Sequence, residues 1–273
     1  MKNRRLATLL YHLLALTITA EFLFPLIGMF AASLRPAGLP PTRGMELFSS
    51  PLTFDNYTRI FDILPIARYI VNSLFVTISG VLLTLITASW AGFGMSLLGR
   101  KARLRLLILS VFLQMIPFTA LWLSRFLLFA KLGITNSHFA LIAPALMGTS
   151  PIFILLFYWT LRRTDQYIFE SAELDGASIF QVWWRIAIPL ARPALIAVGM
   201  LAFLFYWNDF INPLLYLRSQ TLYTLPVGLF LLQEMDKTNW PLLMSASVVT
   251  TVPVLIVFFL LQRSLLWWNT EQE

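Results

Sequence analysis

The chain has 273 residues, 58% of them hydrophobic and only 12% charged, with a formal net charge of +7. A soluble domain carries about 25% charged residues, so the charge here is too sparse to cover a water-facing surface and lipid is the solvent this composition requires. The absence of cysteine excludes disulfides, thiolate metal sites and Cys nucleophiles, and the two histidines, His12 and His138, have no ligand-spaced companions. The basic residues lie in short clusters between apolar runs, the pattern of topology signals rather than of a nucleic-acid surface.

A helix needs roughly 20 apolar residues to cross a hydrocarbon core about 30 Å thick. The hydropathy predicts six such spans, over about 6–33, 66–98, 104–123, 140–161, 193–217 and 240–261. The first follows Lys2, Arg4 and Arg5. Its apolar stretch is longer than a signal-peptide core, so a retained helix is expected. With six spans both termini share a side. That side collects twelve Lys and Arg against eight opposite, with the densest clusters at 2–5 and 100–105, so both termini are expected to be cytoplasmic. Residues 34–65, rich in proline, and 218–239 are expected outside. The fold class is therefore all-α and polytopic, a single transmembrane domain over 1–273 with its core at about 66–263.

The inner segment 162–192 is neither simply polar nor long enough to be a domain. Asp165 stands in N-cap position before a run of helix formers, and Gly176 is placed to end that helix in a left-handed conformation. Ser178 can cap a second helix, with Phe180, Trp183, Trp184 and Ala187 on one side and Pro189 breaking it. Two short helices at an angle, displaying an apolar face, are expected on the cytoplasmic surface.

Glu170-Ser171-Ala172, Asp175-Gly176-Ala177 and Ile186-Ala187-Ile188-Pro189-Leu190 resemble, in residue type and spacing, the signature loop of binding-protein-dependent ABC importer permeases. Ser171 and Ile188 are the departures from the usual Ala and Leu. Asn72-Ser73, Ile116-Pro117, Trp207-Asn208-Asp209, the 224–229 run and the 240–253 run extend the resemblance to the carbohydrate-uptake branch and its maltose-type second permease subunit. The family usually ends in a Gly-rich tail, whereas this chain ends Leu265-Leu266-Trp267-Trp268-Asn269-Thr270-Glu271-Gln272-Glu273.

The resemblance implies a type I importer permease in a bacterial or archaeal plasma (inner) membrane. It implies that 162–192 is a coupling loop seated in a cytoplasmic ATPase subunit, with Glu170, Ser171, Ala172, Asp175, Gly176, Ala177, Ile186 and Pro189 as its coupling residues. Glu170 and Asp175 would either pair with basic groups of the ATPase or cap local amides. The implied partners are a second permease subunit in a heterodimer, two ATPase subunits, an extracytoplasmic solute-binding protein and membrane lipid.

The nearest approach to a phosphate loop, Gly94…Gly99-Arg100-Lys101, lacks the Lys-Ser/Thr that would follow its second glycine. No cofactor is expected on this chain, and ATP and Mg are expected on partner subunits. Trp207, Asn208, Asp209 and Asn72 are candidates to line a solute path, with Trp207 or Tyr206 stacking on a sugar face. Asp209 reads equally as a structural cap before Pro213. Glu21, mid-span beside Thr17 and Thr19, reads as paired with a neighbouring helix. The alternative to an ABC permease is an ion-coupled secondary transporter using Glu21 and Asp209, though such folds show repeats and paired broken helices that are not found here. Sugars, oligosaccharides, polyols and glycerol phosphodiesters all remain open as solutes.

Overall fold

The computed structural model describes residues 2–41 and 51–270, with side chains over 8–41, 51–260 and at 262. The side chains of the basic cluster at 2–5 and of the C-terminal tail, and the middle of the 34–65 segment, therefore lie outside the described parts. All regular structure in the described residues is helical: α1 (Lys2–Ser33), α2 (Asp55–Ile63), α3 (Ile66–Leu97), α4 (Arg100–Met115), α5 (Trp122–Lys131), α6 (His138–Ile142), α7 (Pro151–Arg162), α8 (Tyr167–Leu174), α9 (Ile179–Val182), α10 (Ile188–Leu190), α11 (Arg192–Trp207), α12 (Ile211–Tyr216), α13 (Leu225–Met235) and α14 (Trp240–Thr270).

By length and composition four helical stretches can cross a membrane: Thr8–Ser33, Ile66–Leu97, His138–Arg162 and Trp240–Leu260. Two bent pairs, 100–115 with 118–131 and 179–190 with 192–207, bring the number to six if each pair is one span. The bends correct two expectations. The third span is not a straight helix over 104–123: α4 ends at Met115, and the chain turns through 88°. Pro117 has no N–H to continue the ladder and forces Ile116 into an extended conformation (ψ 120°), after which a 3-10 turn, Phe118–Leu121, leads into α5.

The fifth span does not run to 217 but stops at Trp207. There the Asn208 side chain donates to the Leu204 carbonyl (3.0 Å), and Asp209 accepts from the Asn212 amide (3.2 Å) to start α12.

The described chain forms two compact units. One takes residues up to Ala67 together with Gly228–Pro253. In it, buried Asn56 donates to the carbonyls of Ser33 (2.8 Å) and Arg35 (2.7 Å), fixing the exit from α1. The Gly38 amide donates to the Asn239 side chain at 3.0 Å. The transmembrane window of α1 buries none of its residues within the chain.

The other unit takes Arg68–Val227 and the chain from Val254. Its main core joins Phe93 of α3, Phe157 and Leu161 of α7, and Val198 and Ala202 of α11. α3 and α7 approach at Gly92, where a Cβ would stand 2.6 Å from Phe157 Cβ and 2.8 Å from the Tyr158 amide nitrogen. Only glycine fits there. That contact fixes the C-terminal end of α3, on which the loop described next is built.

Candidate coupling surface and solute path

The loop between α7 and α11 is closed by local hydrogen bonds at each end of its helices. Asp165 Oδ1 accepts from the Tyr167 amide at 3.1 Å, which starts α8. At the other end Gly176 sits at φ +85°, its amide donates to Glu173 (3.0 Å), and the Ala177 amide donates to Ala172 (3.0 Å). This pair of bonds is a Schellman motif, which satisfies the last carbonyls of α8. Ser178 and Gln181 then form a capping box: Ser178 Oγ accepts from the Gln181 amide (3.4 Å), and the Gln181 side chain accepts from the Ser178 amide (2.8 Å). The two short helices, the Gly176 closure and the Ser178 cap stand where the residues place them, whereas the N-cap of α8 is Gln166 and not Asp165.

The second half of the loop departs from expectation. Trp183–Ala187 form a π turn, so residues spaced three and four apart no longer share one face. Val182, Trp183 and Ala187 turn inward and are buried, while Phe180 and Trp184 face outward. Pro189 does not break the helix. It lies inside α10, and the wide turn just ahead of it relieves the clash its ring makes with the carbonyl one turn back. The change of direction comes at Ala191, where the bend to α11 is 82°.

The loop thus has two faces. Inward, Phe169 meets Phe93 edge-on at 5.5 Å between centroids, and Trp183 meets Trp90 edge-on at 5.1 Å, so both loop helices are keyed to the C-terminal end of α3. Outward stand Tyr167, Leu174 (89% exposed), Phe180 and Trp184, with Glu170, Ser171 and Asp175 among them. Glu170 and Asp175 take no ion pair or side-chain hydrogen bond within the described residues, and the one ion pair found there is Lys237–Glu234. Ala172, Ala177 and Ile186 are half-buried against the core, and Pro189 is exposed.

The four solute-path candidates do not form one group. Asn72 is buried and donates to the carbonyls of Thr221 (3.0 Å) and Tyr223 (2.9 Å), pinning the connection before α13. Trp207 is 1% exposed and stacks on Phe203 at 5.8 Å, so its ring offers no open face. Asn208 is exposed, with its amide on Leu204. Asp209 holds the Asn212 side-chain amide with both oxygens (3.1 and 2.9 Å) besides the backbone amide, bonds local to the turn before α12, whose N-cap is Phe210. Glu21 lies exposed on α1, with no ion pair among the described residues.

Two polar groupings escaped the residue-by-residue reading. Tyr206 donates or accepts at 2.8 Å with Thr149, and Thr149 meets Thr84, so three hydroxyls link α11, the turn before α7 and α3. Thr149 sits at φ +61°, a strained position for a β-branched residue, held by the turn that precedes it. The second grouping sets Trp122 and Arg125 of α5 against Asn212 and Tyr216 of α12. Arg125 was visible in the sequence as a lone cation in an apolar run; its companions were not.

A chain with up to six helical crossings and a loop keyed to them by buried aromatics is built as a multi-pass membrane protein. The model of the family described as binding-protein-dependent transport system inner membrane component matches residues 80–266, more than half of the chain, and the chain belongs to that family. It is a multi-pass inner-membrane permease subunit of an ABC importer.

Among curated relatives, the arabinooligosaccharide transport system permease AraQ of Halalkalibacterium halodurans is 33% identical over 88% of this chain and 86% of its own length. The trehalose/maltose transport system permease MalG of Thermococcus litoralis is 31% identical over 96% and 95%. Among solved structures, a chain of a bacterial ABC transporter that imports the acidic polysaccharide alginate shares the fold with a TM-score of 0.77 at 21% identity, covering 96% of this chain and 98% of its own. Family membership leaves the ion-coupled reading of Glu21 and Asp209 without support.

Proposed function

We propose that this chain is one of two different permease subunits of a sugar importer, coupled to cytoplasmic ATPase subunits through 162–192. The observation that carries the coupling role is the two-faced loop. Its buried face is keyed to α3 by Phe169 and Trp183, and its outer face presents large apolar side chains together with carboxylates that have no partner among the described residues. A groove on an ATPase subunit that closes with ATP would grip Tyr167, Leu174 and Phe180, while basic groups of that subunit would meet Glu170 and Asp175. Movement of the groove then passes through the Phe169–Phe93 and Trp183–Trp90 contacts to the inner end of α3, and through the bend at Ala191 to α11.

ATP and Mg belong to the ATPase subunits, and no cofactor is assigned to this chain. Both termini and the loop are assigned to the cytoplasm by the Lys and Arg distribution. An extracytoplasmic binding protein delivers the solute to the opposite side. The relatives support a sugar as that solute: AraQ carries arabinooligosaccharides in its name, GanQ of Bacillus subtilis galactooligosaccharides, and MalG trehalose and maltose.

The test is purification of the tagged chain from its own host. A second permease and an ATPase subunit should co-purify, and MgATP should drive uptake of a labelled oligosaccharide into proteoliposomes holding the complex. Recovery of the chain without an ATPase, or uptake that follows an ion gradient and ignores ATP, would overturn the reading.

A further inference from the structure

Within the second unit, α3, α4 and α7 leave between them a groove of about 520 Å³, walled by Gly94, Leu98, Leu106, Leu109, Leu113 and Ile154, with Ser110 the one polar residue in its described lining. The space is open at its floor: a Cβ built on Gly94 would meet nothing within 4 Å. Beside the groove α4 is seated through Leu107, which packs on the buried Met95, Leu155 and Tyr158. α4 buries none of its own residues, and its face on the groove stays apolar from Leu106 to Leu113, about 10 Å of helix.

One end of the groove is cationic. Leu98, which lines it there, accepts at its carbonyl from the guanidinium of the half-buried Arg103 at 3.4 Å. Arg103 precedes Leu106 by three positions and so shares its helix face. Arg100, Lys101 and Arg105 stand exposed in the same first turns of α4. The sequence has no Asp or Glu between Asp62 and Asp165, and none of the four cations takes an ion pair among the described residues. The Leu98 carbonyl occupies one of the five donors of Arg103 and neutralises none of its charge.

A basic cluster at a helix end is by itself a topology signal. Here the cluster closes one end of an apolar groove, and charge followed by hydrocarbon is the order of groups in a phospholipid. A protein helix seated in the groove would have to bring its own acid to Arg103, and a zwitterionic lipid brings a cation alongside its phosphate. We propose that the groove holds an acyl chain of an anionic phospholipid, with the lipid phosphate on Arg103, Arg100 and Lys101. Trp90 and Phe93, which carry the Trp183 and Phe169 contacts, lie within about two turns of Leu98, so the lipid would sit at the same end of the unit as the 162–192 loop. The site does not depend on the transport role.

The test uses the full-length protein purified in detergent with the subunits it retains, stripped of lipid and titrated with dioleoylphosphatidylglycerol or dioleoylphosphatidylcholine. Native mass spectrometry counts the bound lipid. Phosphatidylglycerol should bind saturably, and Arg103→Gln should weaken it about fivefold. Gly94→Phe leaves every charge in place but fills the groove, and should weaken it at least as much. Phosphatidylcholine should bind more weakly and ignore Arg103→Gln, and inorganic phosphate should not displace the lipid. Equal binding of the two lipids, displacement by inorganic phosphate, or phosphatidylglycerol binding untouched in whichever variant keeps the parent's subunits would each overturn the proposal. Because the chain has no cysteine, Gly94→Cys can also carry a benzophenone maleimide for irradiation in the native membrane. Adducts with lipid are expected, and an adduct with another protein chain would show a helix in the groove and overturn it.

Discussion

The amide of Ala177 donates to the carbonyl of Ala172 at 3.0 Å across a left-handed Gly176. The small residues of the signature loop are therefore the residues that close α8, and the spacing between them is the spacing of a Schellman motif. The outward set of carboxylates and the inward Phe169 take their directions from that closure.

Replacing Gly176 by valine puts a β-branched side chain at φ +85°, a conformation that costs an L-residue about 1–2 kcal/mol. The expected result is a complex that inserts normally but imports about tenfold more slowly for the ATP it hydrolyses. The ratio of uptake to phosphate release in proteoliposomes measures it.

Phe169 is 1% exposed and meets Phe93 edge-on. Phe169→Ala should cost about 3–5 kcal/mol of local packing and abolish uptake while leaving ATP hydrolysis by the partner subunits detectable. Phe169→Leu, which keeps most of the volume, should retain most of the uptake. Equal loss in both variants would mean that the contact does not transmit movement.

The Ser178 cap predicts a graded series. Ser178→Ala should weaken the start of α9 by about 1 kcal/mol and Ser178→Gly by only a few tenths. Tryptic cleavage after Arg185, within the loop, should accelerate about fivefold in the first and little in the second.

Two glycines of α3 two residues apart should respond in opposite senses. A methyl at Gly92 meets Phe157 and the backbone of Tyr158, so Gly92→Ala should destabilise by about 1–3 kcal/mol. Gly94 has nothing within 4 Å, and Gly94→Ala should stabilise the helix by about 1 kcal/mol. Thermal unfolding of the detergent-solubilised complex separates them.

What could be read from the residues was what depends on near neighbours along the chain. Gly176 and the Ser178–Gln181 pair are local signals, and both stand as the spacing indicates. The spans were legible as apolar runs, but hydropathy carries no direction. The run through Ile116-Pro117 stays apolar across an 88° bend, and the fifth continues past Trp207, where only the Asn208 and Asp209 side chains end the helix. The inward turn of Trp183 followed from a π turn that an assumed helical period hides. The Trp122, Arg125, Asn212 and Tyr216 grouping joins α5 to α12, helices about 80 positions apart, and no spacing rule reaches across that distance.

Because the chain has no cysteine, a single one can be placed on the outer face of the coupling loop. Leu174 is 89% exposed there, and Leu123, 69% exposed in the first turn of α5, serves as control. Labelled with a benzophenone maleimide and irradiated in the assembled importer, Leu174→Cys should yield an adduct with the mass of this chain plus one ATPase subunit, and Leu123→Cys should not. No such adduct from Leu174→Cys in a complex that still holds its ATPase subunits, or the same adduct from both positions, would contradict the assignment of 162–192 as the surface that couples ATP hydrolysis to transport.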